Sequence, residues 1–382
     1  MRHARSIAVA AAGFSTFVNL YTPQAILPLL AEQFHVSLPQ TSLSITVSLL
    51  AVALVAPFAG GISDRLGRKR LIVAAAFAVI VPTLLIATST SLPALLLWRF
   101  LQGLLLPFIF AVTVAYIGDE CDGPEAIRVT GLYTSGTIVG GFSGRFLAGV
   151  VADLAGWRMA FAALAALTGL GALIVAALLP SEVRFRPMAG GARATFRAML
   201  GHLENRRLVA TCVVGFGLLF GLVALFTFVN FRLAAPPYNL RPAQLGAVFT
   251  VYLCGAVATP LATRLAARLG RVRTLLAALA IGICGIGLTL LAPLAAIVAG
   301  LALACMGLFV AQTLSLSFIG VAARQARSAA VGLYVTVYYL GGALGGVAPI
   351  WLWHRFGWPG VAALVALAMA GMGGVAARSW RI

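Results

Sequence analysis

Charge is what this chain has least of. Only 9% of its 382 residues are Asp, Glu, Lys or Arg, and just nine are acids. A soluble protein of this length needs far more charged surface, so a water-soluble globular fold is excluded. Histidine is also scarce: His3, His35, His202 and His354 all lie at segment ends or in loops. The five cysteines show no metal-type spacing and no disulfide framework. Cys212, Cys254, Cys284 and Cys305 fall inside apolar stretches and read as small packing residues, and Cys121 falls in a polar connection. Without a nucleophile–base signature, metal cluster or cofactor motif, a polytopic membrane enzyme has little to stand on, and no cofactor is expected.

What is abundant is hydrocarbon: 62% of residues are hydrophobic and the mean hydropathy is +1.03. About 20 apolar residues cross a bilayer as a helix. Long runs without alternation select a helical bundle over a barrel, because each backbone polar group must be satisfied within the protein. Twelve spans are expected, at 6–29, 41–62, 71–88, 92–116, 129–151, 157–179, 208–230, 243–262, 274–291, 294–319, 329–352 and 358–377. The first is too long for a signal-peptide core and lacks a cleavage site, so it reads as a retained span. Pro23 is expected to bend or loosen it near its outer end.

The net charge of +18 is distributed by topology. With the N-terminus inside, 21 of the 27 Lys and Arg fall in cytoplasmic segments and four in outer loops. Only Arg99 and Arg145 fall deep within spans, since Arg158, counted with the outer loops, is the second residue of its span. That asymmetry is the positive-inside rule, with both termini cytoplasmic and lipid as the surrounding partner. A nucleic-acid surface would instead be a contiguous basic patch.

The chain repeats itself at an offset of about two hundred residues. Pro57 and Asp64-Arg65-Leu66-Gly67-Arg68 fall opposite Pro260 and Ala267-Arg268-Leu269-Gly270-Arg271. Gly131-Leu132-Tyr133 recurs as Gly332-Leu333-Tyr334, Gly140-Gly141 as Gly341-Gly342, and Gly156-Trp157 as Gly357-Trp358. Residues 1–179 and 208–382 are therefore two six-helix bundles, joined by a connector at 180–207 that contains Pro180, Pro187, Gly190, Gly191 and six arginines. The halves differ in chemistry. Asp64 becomes Ala267, and Arg99 falls opposite apolar residues near Leu303, while the second half offers aromatics such as Phe226, Tyr252 and Tyr334, read mainly as packing.

The run Gly60-Gly61-Ile62-Ser63-Asp64-Arg65-Leu66-Gly67-Arg68-Lys69-Arg70 resembles the loop between helices 2 and 3 of the major facilitator superfamily. The resemblance implies two pseudo-symmetric six-helix bundles that rock to open a central pathway alternately. It also implies that Gly60, Asp64, Arg65, Gly67, Arg68 and Lys69 form a conformational latch. In that role Arg68 and Lys69 would bridge to cytoplasmic acids, and Asp64 would need cationic or helix-N-terminal partners because it sits at a helix C-terminus. The alternative is a basic turn that only sets topology.

Leu97-Trp98-Arg99-Phe100-Leu101-Gln102-Gly103 resembles the family's fourth-helix motif, with Arg99 and Gln102 on one helical face. Arg99 lies about 10 Å inside its span, so it faces a wet cavity or a partner, or else snorkels to the boundary. Gly136 to Arg145 resembles the glycine-rich fifth-helix motif of proton-coupled drug exporters, although Gly141 stands at the usual proline and Arg145 at the final glycine. Gly136, Gly140, Gly141 and Gly144 alternatively form a simple packing surface.

Arg145 and Arg99 lie at nearly one depth, and all nine acids fall at or beyond the span ends. A substrate carboxylate or phosphate could supply the counter-charge. Alternatively, Arg145 holds helix-end carbonyls or reaches Asp153. By family analogy helices 1, 4, 7 and 10 line the cavity, which makes Asn19, Tyr21, Gln24, Arg99, Gln102, Thr227, Asn230, Gln312 and Thr313 candidate contacts for substrate or coupling ion.

The expected protein is a monomeric secondary transporter of the bacterial inner membrane that expels a small organic molecule in exchange for protons. Its resemblance is to twelve-helix drug and sugar exporters. The runner-up is a symporter or facilitator for an organic anion. No dedicated proton site and no substrate identity can be read from the residues.

Overall fold

Where hydrocarbon runs this long meet a bilayer, a helix is the local structure that leaves no backbone group unpaired. The computed structural model describes residues 2–183, 191–323 and 325–380, so Pro187 and Gly190 of the connector lie outside the described residues. Eleven helices among the described residues are long and apolar enough to cross a membrane. The remaining span, the first, is broken rather than continuous.

That first span comprises α1 (Arg2–Leu20), a 3-10 turn (Thr22–Ile26) and α2 (Leu27–Phe34). Its break follows from Pro23. Proline has no N–H to offer the Asn19 carbonyl four residues back, and the Gln24 amide turns instead to Tyr21 O at 3.1 Å. The expected bend is a full interruption, with Tyr21 at φ −111°, ψ 6°.

The rest of the first half follows as α3 (Leu38–Thr41) and α4 (Leu43–Leu66), α5 (Arg68–Ala78) and α6 (Ile80–Ala87), α7 (Leu92–Glu120), α8 (Gly123–Ala155) and α9 (Trp157–Leu178). After α10 (Gly191–Gly201) come α11 (Arg206–Ala234), α12 (Pro242–Val248) and α13 (Val251–Leu269), then α14 (Arg271–Leu288) and α15 (Leu294–Ala322). Last come α16 (Arg327–Val347) and α17 (Pro349–Ser379), the latter broken at Gly357 so that two spans meet inside it. The chain divides into two units, Met1–Phe196 with Arg241–Ala247, and Arg197–Leu240 with Val248–Ile382. The connector expected at 180–207 is thus shared between the units, and most of α12 groups with the first.

Four single-residue turns recur in register with the sequence repeat. Gly67 (φ 90°, ψ 142°) joins α4 to α5, and Gly270 (φ 87°, ψ 151°) joins α13 to α14. Gly156 (φ 86°, ψ 161°) joins α8 to α9, and Gly357 (φ 60°, ψ −146°) breaks α17. Extended ψ combined with positive φ is open to glycine almost alone, which is why these four turns keep it.

Close helix approach is also repeated. A Cβ on Gly136, Gly140 or Gly144 of α8 would fall on the carbonyl oxygens of Ala10, Phe14 and Val18 of α1. Likewise a Cβ on Gly341 or Gly345 of α16 would fall on those of Phe216 and Phe220 of α11. Gly141 does not belong to this surface: its nearest outside neighbour is Arg145 Nη1, at 3.5 Å. Being one residue from Gly140, it is rotated about 100° away from α1.

In the second unit the aromatics pack on one another. Phe226 meets Phe249 and Tyr252 at centroid distances of 5.5 and 4.7 Å, and Tyr252 meets Phe309 at 5.6 Å. Among the cysteines, Cys121, Cys212 and Cys305 are buried, whereas Cys254 and Cys284 are exposed on their helices and do not serve as core packing.

Candidate functional site

The break in the first span leaves the carbonyls of Asn19 and Leu20 without their regular helical donors, and Arg99 of α7 supplies replacements. Its Nη1 donates to Asn19 O at 2.9 Å and its Nη2 to Leu20 O at 2.6 Å. Nε donates to Ser44 O of α4 at 3.0 Å, and Nη1 also donates to the Gln102 side-chain carbonyl. Arg99 is fully buried, so snorkelling is excluded. A planar fork of N–H groups suits several fixed oxygens in a way that a lysine ammonium does not.

Gln102 and Asn19 extend this into a network across the first unit. Gln102 Nε2 donates to Thr83 Oγ1 of α6 at 2.7 Å and to Asn19 Oδ1 at 3.1 Å. Asn19 Nδ2 donates to Thr168 Oγ1 of α9 and to Ser15 O, each at 2.8 Å. Behind it, Ser48 Oγ of α4 donates to Arg99 O at 2.9 Å, and a Cβ on Gly103 would sit 2.8 Å from the Ala51 Cβ. The sequence did not single out Thr83, Thr168 or Ser44. For the two threonines the only signal is a hydroxyl in the middle of an apolar run, and such hydroxyls usually bond their own helix; Ser44 takes part through its backbone carbonyl, which has no residue signature.

Arg145 holds the other side of the break. Nε donates to Gln24 Oε1 at 2.8 Å, Nη1 donates to Gly141 O at 2.5 Å, and the guanidinium lies 4.6 Å from the centroid of the Tyr21 ring. It is 1% exposed. The sequence reading that Arg99 and Arg145 act at one level is thus given a specific form: both arginines grip residues 19–24. The first-unit candidates Asn19, Tyr21, Gln24, Arg99, Gln102 and Arg145 come together. Thr227 and Asn230 of α11 are fully buried in the second unit. Gln312 and Thr313 of α15 are half-buried, with Thr313 Oγ1 donating to Phe309 O at 3.1 Å.

At the turn between α4 and α5, Arg68 gathers the Gly60–Arg70 run. Its Nη2 lies 2.7 Å from Asp64 Oδ1 and its Nε donates to Asp119 Oδ2 of α7 at 2.9 Å. Nη1 donates to Ser63 Oγ and to Gly60 O, the latter at 3.4 Å. At Lys69 it is the backbone amide that reaches an acid, donating to Glu182 Oε2 at 3.3 Å. Glu182 Oε1 also lies 2.7 Å from where a Cβ on Gly67 would sit. Arg65 is exposed. Around this cluster Glu120 Oε1 accepts from Val183 N–H at 3.0 Å, and Tyr116 donates to Pro180 O at 3.0 Å, which seats the start of the connector on α7.

A broken membrane helix stabilised by buried polar side chains, inside a duplicated helical fold, is the architecture of a membrane transporter. The family model of the Major Facilitator Superfamily matches residues 9–346, and the chain belongs to that superfamily. It is 36% identical over 362 residues to the inner membrane transport protein YnfM of Escherichia coli (strain K12), covering 95% of this chain and 87% of that protein. It is 30% identical over 355 residues to the uncharacterised MFS-type transporter YybF of Bacillus subtilis (strain 168), covering 93% and 88%. In fold alone it is similar to the crystal structure of a mutant of the nucleoside transporter NupG. That match has a TM-score of 0.78 at 13% identity and covers 98% of this chain and 100% of that one.

Proposed function

We propose that this protein is a secondary transporter that moves a small organic solute by alternating access, exporting it in exchange for protons. The observation that carries the reading is the broken first span, where buried Arg99 holds the freed Asn19 and Leu20 carbonyls and buried Arg145 holds the Gln24 side chain within a polar network. Discontinuous helices near the membrane interior are where transporters of this kind place substrate and coupling sites. Buried ionisable groups in a membrane are costly to retain and mark function more often than packing. Tyr21, Gln24 and Arg145 are the residues proposed to meet solute or coupling ion, together with Thr227, Asn230, Gln312 and Thr313. Arg99, Gln102 and Asn19 set the shape of the break.

The Asp64–Arg68–Asp119 cluster is the proposed latch, since moving α5 against α4 or α7 would require separating its charges. Insertion in the bacterial inner membrane is supported by the name of the Escherichia coli relative, and cytoplasmic termini by the distribution of arginines. A functional monomer is part of the same reading. The second reading, an organic-anion carrier, is favoured by one fact: the acceptors found for Arg99 are neutral oxygens.

The test is purified protein in liposomes with an imposed pH gradient and a panel of organic cations, neutral sugars and organic acids. Gradient-dependent movement of a cation or neutral solute supports proton-coupled export. Uptake of acids that survives collapse of the gradient replaces it with the anion carrier.

A further inference from the structure

Two hydroxyls in the second unit are deeply buried without a hydrogen-bond partner among the described residues: Tyr334 of α16, 2% exposed, and Ser315 of α15, fully buried. They face one another, and the Cys212 thiol of α11 lies beside Tyr334. Each hydroxyl carries one proton to donate. Turned toward one another, the pair would share a single bond, and the second proton would still lack an acceptor. A thiol is only a weak partner, and hydrocarbon supplies none, so a donor left unpaired there is costly.

The first unit meets the same need directly. Tyr133, the repeat counterpart of Tyr334, donates from its hydroxyl to Phe110 O of α7 at 3.3 Å. Counted from the first residue of each 29-residue helix, Gln312 of α15 stands where α7 has Phe110, and Ser315 stands where it has Thr113. The two tyrosines are seated differently. A Cβ on Gly13 of α1 would meet the Tyr133 ring at Cδ2, 3.2 Å away. A Cβ on Gly215 of α11 would sit 2.5 Å from Tyr334 Cε2 and 3.0 Å from its hydroxyl oxygen. The glycine touches the base of one ring and the tip of the other, and the Tyr334 hydroxyl stops short of the α15 carbonyls.

Ser315 also lacks the methyl that Thr113 carries. A methyl group and a water molecule are similar in size, so the exchange opens room for one water beside the hydroxyls. In the first unit the Thr113 hydroxyl is likewise without a partner, but its tyrosine is satisfied. One donor is left over there and two here. A buried water makes about three hydrogen bonds to polar groups of this kind, and Tyr334, Ser315 and Cys212 supply three.

We propose that the second unit binds one internal water between Tyr334, Ser315 and Cys212, which accepts from both hydroxyls and donates to the sulfur. The link from α16 to α15 then runs through a relay, which spans a longer and more adjustable distance than the direct Tyr133 bond. The site belongs to the second unit and the Arg99 network to the first, and its test needs no transport assay.

The experiment is a crystal structure of the full chain at a resolution that shows ordered water, together with thermal unfolding of variants in detergent. Density should appear at about 2.7–3.0 Å from both Tyr334 Oη and Ser315 Oγ. Tyr334→Phe and Ser315→Ala should each lower Tm by about 2–4 °C, since each leaves the other hydroxyl unpaired. The double variant should lose less than the two single losses added, because no buried donor then remains. Ser315→Thr is the sharpest change: it keeps the hydroxyl and places a methyl where the water sits, so it should also lower Tm by about 2–4 °C. Two hydroxyls in direct contact with no water between them would overturn the proposal. So would an unchanged or higher Tm in Tyr334→Phe or Ser315→Thr, or strict additivity in the double variant. The wild-type density decides the matter by itself should a variant fail to fold.

Discussion

The α4–α5 and α13–α14 turns have almost the same backbone and very different surroundings. Gly67 and Gly270 differ by 3° in φ and 9° in ψ. Around Gly67 stand Asp64, Arg68, Asp119 and Glu182. Around Gly270 nothing lies within 4 Å of a built Cβ, Ala267 replaces the aspartate, and Arg271 stacks 5.3 Å from the Phe318 ring. Duplication has preserved what the chain needs to reverse direction in one residue, and it has allowed the charges to drift. The same contrast holds deeper in the membrane. The first unit buries an arginine-centred polar network where the second packs aromatic rings.

That comparison can be broken most directly at Arg99. Arg99→Ala would leave the Asn19 and Leu20 carbonyls without their donor and should destabilise the first unit by about 3 kcal/mol or more. A loss of monodisperse protein in detergent and a lower Tm would show it. Arg99→Lys should recover only part, because one ammonium cannot serve three fixed carbonyl directions. Leu303→Ala, in the apolar stretch opposite in the repeat, should cost far less. Equal damage from both would mean the network adds nothing beyond packing.

Next come the glycine contacts. Gly140→Ala and Gly341→Ala should each cost about 1–3 kcal/mol, since both push a methyl onto a neighbouring helix backbone. Their near-equality in thermal unfolding would show that the two helix pairs pack alike, and a large difference would break that symmetry. Gly141→Ala, one residue along, should stay within about 0.5 kcal/mol because the added methyl meets only Arg145 Nη1, at an ordinary contact distance of 3.5 Å.

The turns sharpen the contrast between shape and charge. Gly67→Ala and Gly270→Ala should both be strained, each by about 1–3 kcal/mol. Only Gly67→Ala should also slow transport strongly, because its methyl meets Glu182. The smallest expected effect on stability is that of Asp64→Asn, which should reduce transport by about tenfold, equivalent to about 1.4 kcal/mol of barrier, while leaving insertion and protein yield intact. Unchanged transport rates in that variant would reduce the Gly60–Arg70 run to a topogenic turn.

Much of this molecule could be read in advance because hydrocarbon length and glycine are local signals. Span count, the duplicated halves and the repeat that pairs Gly67 with Gly270 and Gly156 with Gly357 follow from segments a few residues long, while the positive φ at these four glycines belongs to the structure. The Gly136–Gly140–Gly144 stripe was also visible by its spacing of four, whereas Gly141 was grouped with it wrongly because adjacency in sequence is not adjacency on a helix face. The buried arginines could be found, but not their partners. Arg99 reaches carbonyls 79 and 80 residues away, and backbone carbonyls carry no residue signature. Thr83 and Thr168 join the network from α6 and α9 for the same reason.

Composition and period alone therefore determined that this chain is a duplicated bundle of membrane helices, because burial of apolar length and pairing of backbone groups leave no other solution. Only the tertiary structure decided what the rare polar side chains inside it hold. A proline opened two carbonyls in the first span, and the nearest strong donor able to reach them was brought there by packing, from a helix that no local rule links to it.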